Sequence, residues 1–265
     1  MPIVAGVIAP HPPIIVPAVG KEQVKITEKT VLGLLRLTEE IGEMKPEVVV
    51  VISPHGVIQL GGVSVRNPKD EKGFYGNLSQ FGCEEVEMEF PVERKLTEEI
   101  VEKAGEEGIR IIEVDDNLLD HGVVVPLFYL TQKIPGVNLV SLTISMEGAK
   151  KHFQLGKIIR EICEKDPRKI LFVASGDLSH RLIKDAPAGY NKEGKKFDEK
   201  LIKYLEKGNT EGVLYFDPFW LDEVGECGYR SICTLLGVME GSGKKFQKYS
   251  YEGPFGVGYL VGAFV

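Results

Sequence analysis

Five histidines stand in this chain of 265 residues, and three of them follow short runs rich in β-branched residues. His11 lies in Ala9-Pro10-His11-Pro12-Pro13, just past Ile3 to Ala9. His55 lies in Ser53-Pro54-His55-Gly56, past Val48-Val49-Val50-Val51-Ile52. His180 ends Ser175-Gly176-Asp177-Leu178-Ser179-His180, past Ile170 to Ala174. His121, in Asp120-His121-Gly122, opens an expected helix, and only His152 falls on an ordinary amphipathic face. The proline before His11 and the one before His55 stiffen their loops and limit where each imidazole points. Two imidazoles so held suit Fe(II) or Zn(II), and one carboxylate would complete an open facial triad. Asp177, Asp120 and Glu226 are candidates for that carboxylate. Glu226, in Gly225-Glu226-Cys227-Gly228-Tyr229-Arg230, has a plainer role available as an acid at a helix start. Asp120 and Asp177 have two roles open to them, orienting imidazoles or capping helices.

The elements that must position these residues alternate strand with helix. Five consecutive β-branched residues at 48–52 leave no polar face and predict a strand buried on both sides. Strands are also expected at 3–9, 63–65, 86–90, 109–114, 137–144, 170–174, 246–251 and 257–264. Helices are expected at 21–44, 93–105, 121–132, 147–164, 192–207, 209–215 and 229–239. In the first of these, Val31, Leu34, Leu35 and Ile41 share one face. Such alternation predicts an α/β fold: one domain over residues 1–265, with a mostly parallel central sheet covered by helices on both faces. Ligands of such sheets collect at the carboxyl ends of the strands, which is where the histidines fall.

The rest of the composition narrows the function. A net charge of −7 disfavours a nucleic-acid surface, which needs clustered Lys and Arg. No apolar stretch approaches the roughly 20 residues that span a bilayer. The apolar segment Met1 to Gly20 has no basic residue before Lys21 and carries five prolines, unlike a signal peptide. Four scattered cysteines, Cys83, Cys163, Cys227 and Cys233, suggest reduced thiols and a cytoplasmic protein. Ser175 and Ser179 lie near His180, but no G-x-S-x-G elbow supports a serine hydrolase. Gly256-Val257-Gly258 leads into no helix, so it is not a dinucleotide loop. A zinc hydrolase built on His11, His55 and an acid stays open.

Taken in order, these motifs resemble the class III extradiol ring-cleavage dioxygenases, the LigB-like superfamily. The resemblance is carried by the Pro-His after the first strand, by Ser53-Pro54-His55-Gly56, by 120–127 (DHGVVVPL) and by 175–180 (SGDLSH). It runs from Ile3 to Gly258. Within the superfamily the chain is most similar to the LigB-like proteins of the AmmeMemoRadiSam system, with Memo a more distant relative. The resemblance implies a non-haem Fe(II) enzyme that opens a catecholic ring with O₂. His11 and His55 would bind the metal, Glu226 would be its carboxylate ligand, His180 the acid/base and His121 a histidine facing substrate. Memo has a Cys before the Gly at the comparable place, which makes Cys227 the alternative third ligand. We expect Glu226, because the four histidines match the dioxygenase set and a thiolate beside O₂ is prone to oxidation. A radical-SAM partner and a homo-oligomer are implied as well. A Memo-like metal protein without dioxygenase activity is the competing expectation, since fold and metal do not fix a substrate.

Overall fold

Runs of Val and Ile without polar alternation can only be satisfied where both faces of a strand are covered, and the sheet places them at its centre. The computed structural model describes residues 2–70 and 72–265. In chain order it begins with β1 (Ile3–Ala9), α1 (Pro17–Gly20), α2 (Glu28–Met44), β2 (Val48–Ser53), β3 (Val63–Arg66), β4 (Phe74–Leu78) and β5 (Cys83–Phe90). It continues with α3 (Arg94–Glu106), β6 (Ile111–Val114), β7 (Leu118–Leu119), α4 (His121–Leu130), β8 (Asn138–Thr143), α5 (Ala149–Cys163) and β9 (Ile170–Ser175). Helices α6 (Lys192–Glu206), α7 (Thr210–Leu214), α8 (Pro218–Val224) and α9 (Tyr229–Met239) precede β10 (Phe246–Glu252) and β11 (Tyr259–Phe264).

Eight strands form one sheet in the order β10-β11-β1-β9-β2-β8-β3-β6. The pairs β1–β9, β9–β2, β2–β8 and β3–β6 are parallel. On β2 the residues Val48, Val50 and Ile52 pack into one apolar cluster, while Val49 and Val51 pack into the cluster on the opposite face. The α/β architecture with both faces covered is therefore present as expected. Register aligns the strand ends: Ala9 stands beside Ser175, and Ala174 beside Ile52. The loops leaving β1, β9 and β2 thus emerge next to one another.

Several boundaries differ from expectation. The segment 21–27 is a 3₁₀ stretch and the α-helix begins only at Glu28. Leu35 is 39% exposed, and Gly33, Leu34, Leu37 and Ile41 form the buried face of α2 instead. Strand β3 has no wet face, because it lies inside the sheet between β8 and β6. The Gly-rich stretch 73–82, which lies outside the expected strands and helices, contains β4, which joins β5 and β7 in a separate three-stranded sheet. Helix α8 was not expected from periodicity, being only 7 residues long. Pro126 sits within α4, beyond its first turn. Having no N–H, it leaves the carbonyl of Gly122, one turn earlier, without its helical donor.

Candidate metal centre

The chain leaves β1 through Pro10 and turns His11 down against the end of β9. Its backbone N–H donates to Asp177 Oδ1 at 3.0 Å, and its ring Nδ1 lies 2.9 Å from Ser175 Oγ. The imidazole is 2% exposed. Its Nε2 faces inward, 2.9 Å from His55 Nε2, 3.6 Å from Cys227 Sγ and 3.8 Å from Asp177 Oδ2.

His55 stands at the exposed mouth of this cluster. Its N–H donates to Ser53 Oγ at 3.1 Å, and the Ser53 hydroxyl donates to Asp120 Oδ1 at 2.7 Å. Asp120 is the residue before α4, whose first residue is His121. The rings of His55 and His121 stack with centroids 4.4 Å apart, and His11 meets both edge-on. Ligand atoms of His11, His55 and His121 lie within 4.8 Å of one another. A second group, His11, Asp177 and Cys227, meets the same limit and shares His11.

Behind the two loops Arg66, at the end of β3, is 4% exposed. Its Nε is 3.3 Å from Asp116 Oδ2 and its Nη2 is 3.3 Å from Asp120 Oδ2. A side chain on Gly56 would not fit over this arginine, because a Cβ there would lie 2.9 Å from Arg66 Nη1 and 1.9 Å from Thr143 Oγ1. Beside the histidines a cavity of about 490 Å³ is lined by Asn77, Ser79, Gln80 and Leu118 together with His55 and His121. Phe81 meets the His121 ring edge-on at 5.1 Å.

Burial is the largest influence on the charges here. It holds His11 well below the usual imidazole range, with the neighbouring His55, His121 and His180 adding to the effect. His55 and His180 are lowered for the same first reason. His121 is lowered to about 4, although the Asp120 carboxylate works against the shift. Metal binding requires neutral imidazoles with free lone pairs. Three convergent imidazoles kept neutral by burial fit a divalent cation, and the Nδ1 contact to Ser175 leaves His11 Nε2 turned to the centre. Asp177 is raised to about 7 by burial, against the opposing hydrogen bond from His11 N–H.

The structure brings His11, His55, His121, Asp177 and Cys227 together. It does not bring Glu226 to them. The Glu226 carboxylate accepts the N–H of Tyr229 at 2.6 Å and so caps α9, the plainer of the roles open to it. Cys227, next in sequence, places its Sγ 3.6 Å from His11 Nε2 instead. His180 is tied through its backbone to Gly225 O at 3.1 Å, and its buried Nε2 has no hydrogen-bond partner among the described residues. Asp120 makes no side-chain cap on α4 and serves Ser53 and Arg66 instead. His152 is buried on α5, accepting Ser145 N–H at 3.3 Å, and is a structural residue. Ser53, Ser175, Arg66 and Phe81 were not singled out as parts of a metal site. A hydroxyl ahead of a histidine, Ser53 before His55 and Ser175 before His180, was the only signal for the two serines, and Arg66 and Phe81 carried none.

The histidines thus gather at the carboxyl edge of an α/β sheet, where the loops after β1, β2 and β9 emerge. A family model described as the catalytic LigB subunit of aromatic ring-opening dioxygenase matches residues 5–262, and the chain belongs to that family. It is 35% identical over 261 residues to a protein of Clostridium acetobutylicum, covering 95% of this chain. The chain spans only 55% of the length of that relative. It is also 27% identical over 250 residues to the 2-aminophenol 1,6-dioxygenase beta subunit of a Pseudomonas species, covering 83% of this chain and 80% of the subunit. The crystal structure of an uncharacterised Escherichia coli K12 protein superimposes with a TM-score of 0.68 at 17% identity. That match covers 98% of this chain and 99% of the other, and it shows a shared fold. Dioxygenases of the LigB family use non-haem Fe(II). No helix among the described residues is long and apolar enough to cross a membrane.

Proposed function

We propose that the protein is an extradiol-type dioxygenase that opens the ring of a small aromatic diol or aminophenol with O₂. The observation that carries this reading is the convergence of His11, His55 and His121 at the sheet edge of a LigB-family chain. In this reading His11 and His55 hold Fe(II), with Asp177 as the carboxylate donor in place of Glu226. The bound Fe(II) supplies the chemistry of joining O₂ to an electron-rich ring. His121, lining the adjacent cavity, orients the ring, and Phe81 packs edge-on against the imidazole of His121. His180 Nε2, buried and without a partner, accepts a proton from a ring hydroxyl; its lowered affinity for protons keeps it ready as a base at neutral pH. Asp177 holds the His11 backbone while offering its second oxygen to the centre.

A second reading is favoured by one contact. Cys227 Sγ lies closer to His11 Nε2 than Asp177 Oδ2 does. A thiolate there would prefer Zn(II), the setting of a Memo-like metal protein or a zinc hydrolase. The radical-SAM partner, the homo-oligomer and the cytoplasmic location rest on the sequence resemblance and composition alone. Anaerobic loading with Fe(II), followed by oxygen uptake with a panel of catechols and aminophenols, tests the first reading. Oxygen consumption with a visible-absorbing ring-opened product is the expected result. Stoichiometric Fe(II) binding with no uptake on any member of the panel would overturn it in favour of the second.

A further inference from the structure

We propose that Ser175 and Pro126 are positioning residues that fix the tautomer of His11, presenting its Nε2 lone pair to a divalent cation. The inference rests on the proposed metal centre for its purpose but not for its geometry.

In a regular helix the carbonyl of Gly122 would accept the N–H of residue 126, one turn on. Residue 126 is proline and has no N–H to give. The Gly122 carbonyl is therefore left with a vacant lone pair in a fully buried place, where an unmet acceptor is costly. Ser175 fills it: the Ser175 hydroxyl donates to Gly122 O across 53 residues of sequence. A serine has one hydroxyl proton. With that proton committed to Gly122, Ser175 Oγ can meet His11 Nδ1 at 2.9 Å only as an acceptor. His11 must then carry its hydrogen on Nδ1, which leaves Nε2 as a bare lone pair. That nitrogen is the one facing His55, Cys227 and Asp177.

The arrangement joins three elements. Ser175 is the last residue of β9, Gly122 and Pro126 belong to α4, and His11 follows β1. Ser175 is wholly buried and His11 nearly so, so no solvent competes for either contact. A proline inside a helix ordinarily weakens it. In α4 the lost bond becomes the acceptor that decides which nitrogen of His11 is available for ligation, and the orienting group of a metal-binding histidine typically contributes on the order of 10–100-fold in metal affinity.

The test is ¹⁵N NMR of the histidine side chains in the metal-free protein, paired with Co(II) titration followed by its visible absorption. Wild type should show His11 as a single Nδ1–H tautomer. Ser175→Ala should give a mixture of tautomers and bind Co(II) on the order of 10–100-fold more weakly. Pro126→Ala, which favours the helix and so keeps the fold, restores a competing N–H for Gly122 O. It should shift the tautomer in the same direction by a smaller amount. A wild-type tautomer with wild-type Co(II) affinity in Ser175→Ala would overturn the inference. An unchanged tautomer in Pro126→Ala would remove Pro126 from it. If wild type binds no Co(II) at all, the proposed metal centre fails, while the tautomer of the metal-free protein still decides this inference.

Discussion

His11 makes more of the centre's contacts than any other side chain, with partners from β9, the His55 loop and the turn before α9. Replacing His11 and His55 together by alanine should abolish stoichiometric Fe(II) binding, measured by metal analysis after anaerobic loading; retention of wild-type affinity would remove both from the ligand set. His180→Gln should behave differently. It should keep the metal and lose turnover by on the order of 10²-fold or more, the contribution of a general base. Loss of metal in that variant would make His180 a ligand. The third donor is a contest among neighbours. Asp177→Asn should weaken Fe(II) binding, and Glu226→Gln should leave it unchanged because Glu226 is engaged in capping α9. If Cys227→Ala loses the metal while Asp177→Asn does not, the thiolate reading replaces the dioxygenase reading.

At the scale of elements, the centre depends on loops whose spacing is set from behind. Arg66 on β3 reaches the two aspartates around β7 and the start of α4, and so holds the Asp120–Ser53 contact that supports the His55 loop. Arg66→Met would leave Asp120, with its side chain 10% exposed, as an unpaired charge beside the histidines. Breaking one partner of a buried pair costs about 3–5 kcal/mol, so denaturant unfolding should show a loss of that order. A loss under about 1 kcal/mol, the range of an exposed pair, would contradict the buried-clamp picture. The helices on the far face are packed as closely: a Cβ on Gly156 of α5 would lie 2.0 Å from Thr234 O of α9. Backbone meets backbone there, and no side chain can move aside to admit a methyl group.

For the molecule as a whole, the buried ionisable groups set how stability follows pH. His11, His55, His121, His152 and His180 all have lowered proton affinity in the folded state, with His121 and His152 at about 4 against an ordinary 6.5. Between those values the unfolded chain binds more protons, so stability falls as pH drops through this window. Asp177, Asp198 and Glu226 are raised to about 7 by burial and act oppositely, contributing stability at low pH that is lost as pH rises through about 7. The two sets therefore oppose each other between about pH 4 and about pH 6.5, and a single group shows its sign by difference. His152→Gln should lose less stability than wild type as pH falls through that range, measured by thermal unfolding of the metal-free proteins; parallel profiles would mean that His152 is not held neutral.

Some of this protein was determined by local sequence alone. The strands at 3–9, 48–52 and 170–174 were legible because an unbroken apolar run has one physical solution, burial on both faces of a sheet. Since parallel strands end on one edge, the histidines following those runs could be placed together from sequence. The short strands β4 and β7 and the helix α8 were not legible, because elements of a few residues are stabilised by neighbours distant in the chain. Leu35 was assigned to the wrong face for a related reason: periodicity gives a stripe, and only packing decides its edge. The same limit governs the third ligand. Glu226 and Cys227 are adjacent and both chemically suited, so type and spacing could not separate them. The turn into α9 separates the two side chains, giving the carboxylate to the helix amide of Tyr229 and the thiol to the side facing His11. Arg66, Ser53, Ser175 and Pro126 gained their roles in the same way, since each acts on a residue far along the chain, and only tertiary structure brings such pairs within a hydrogen bond.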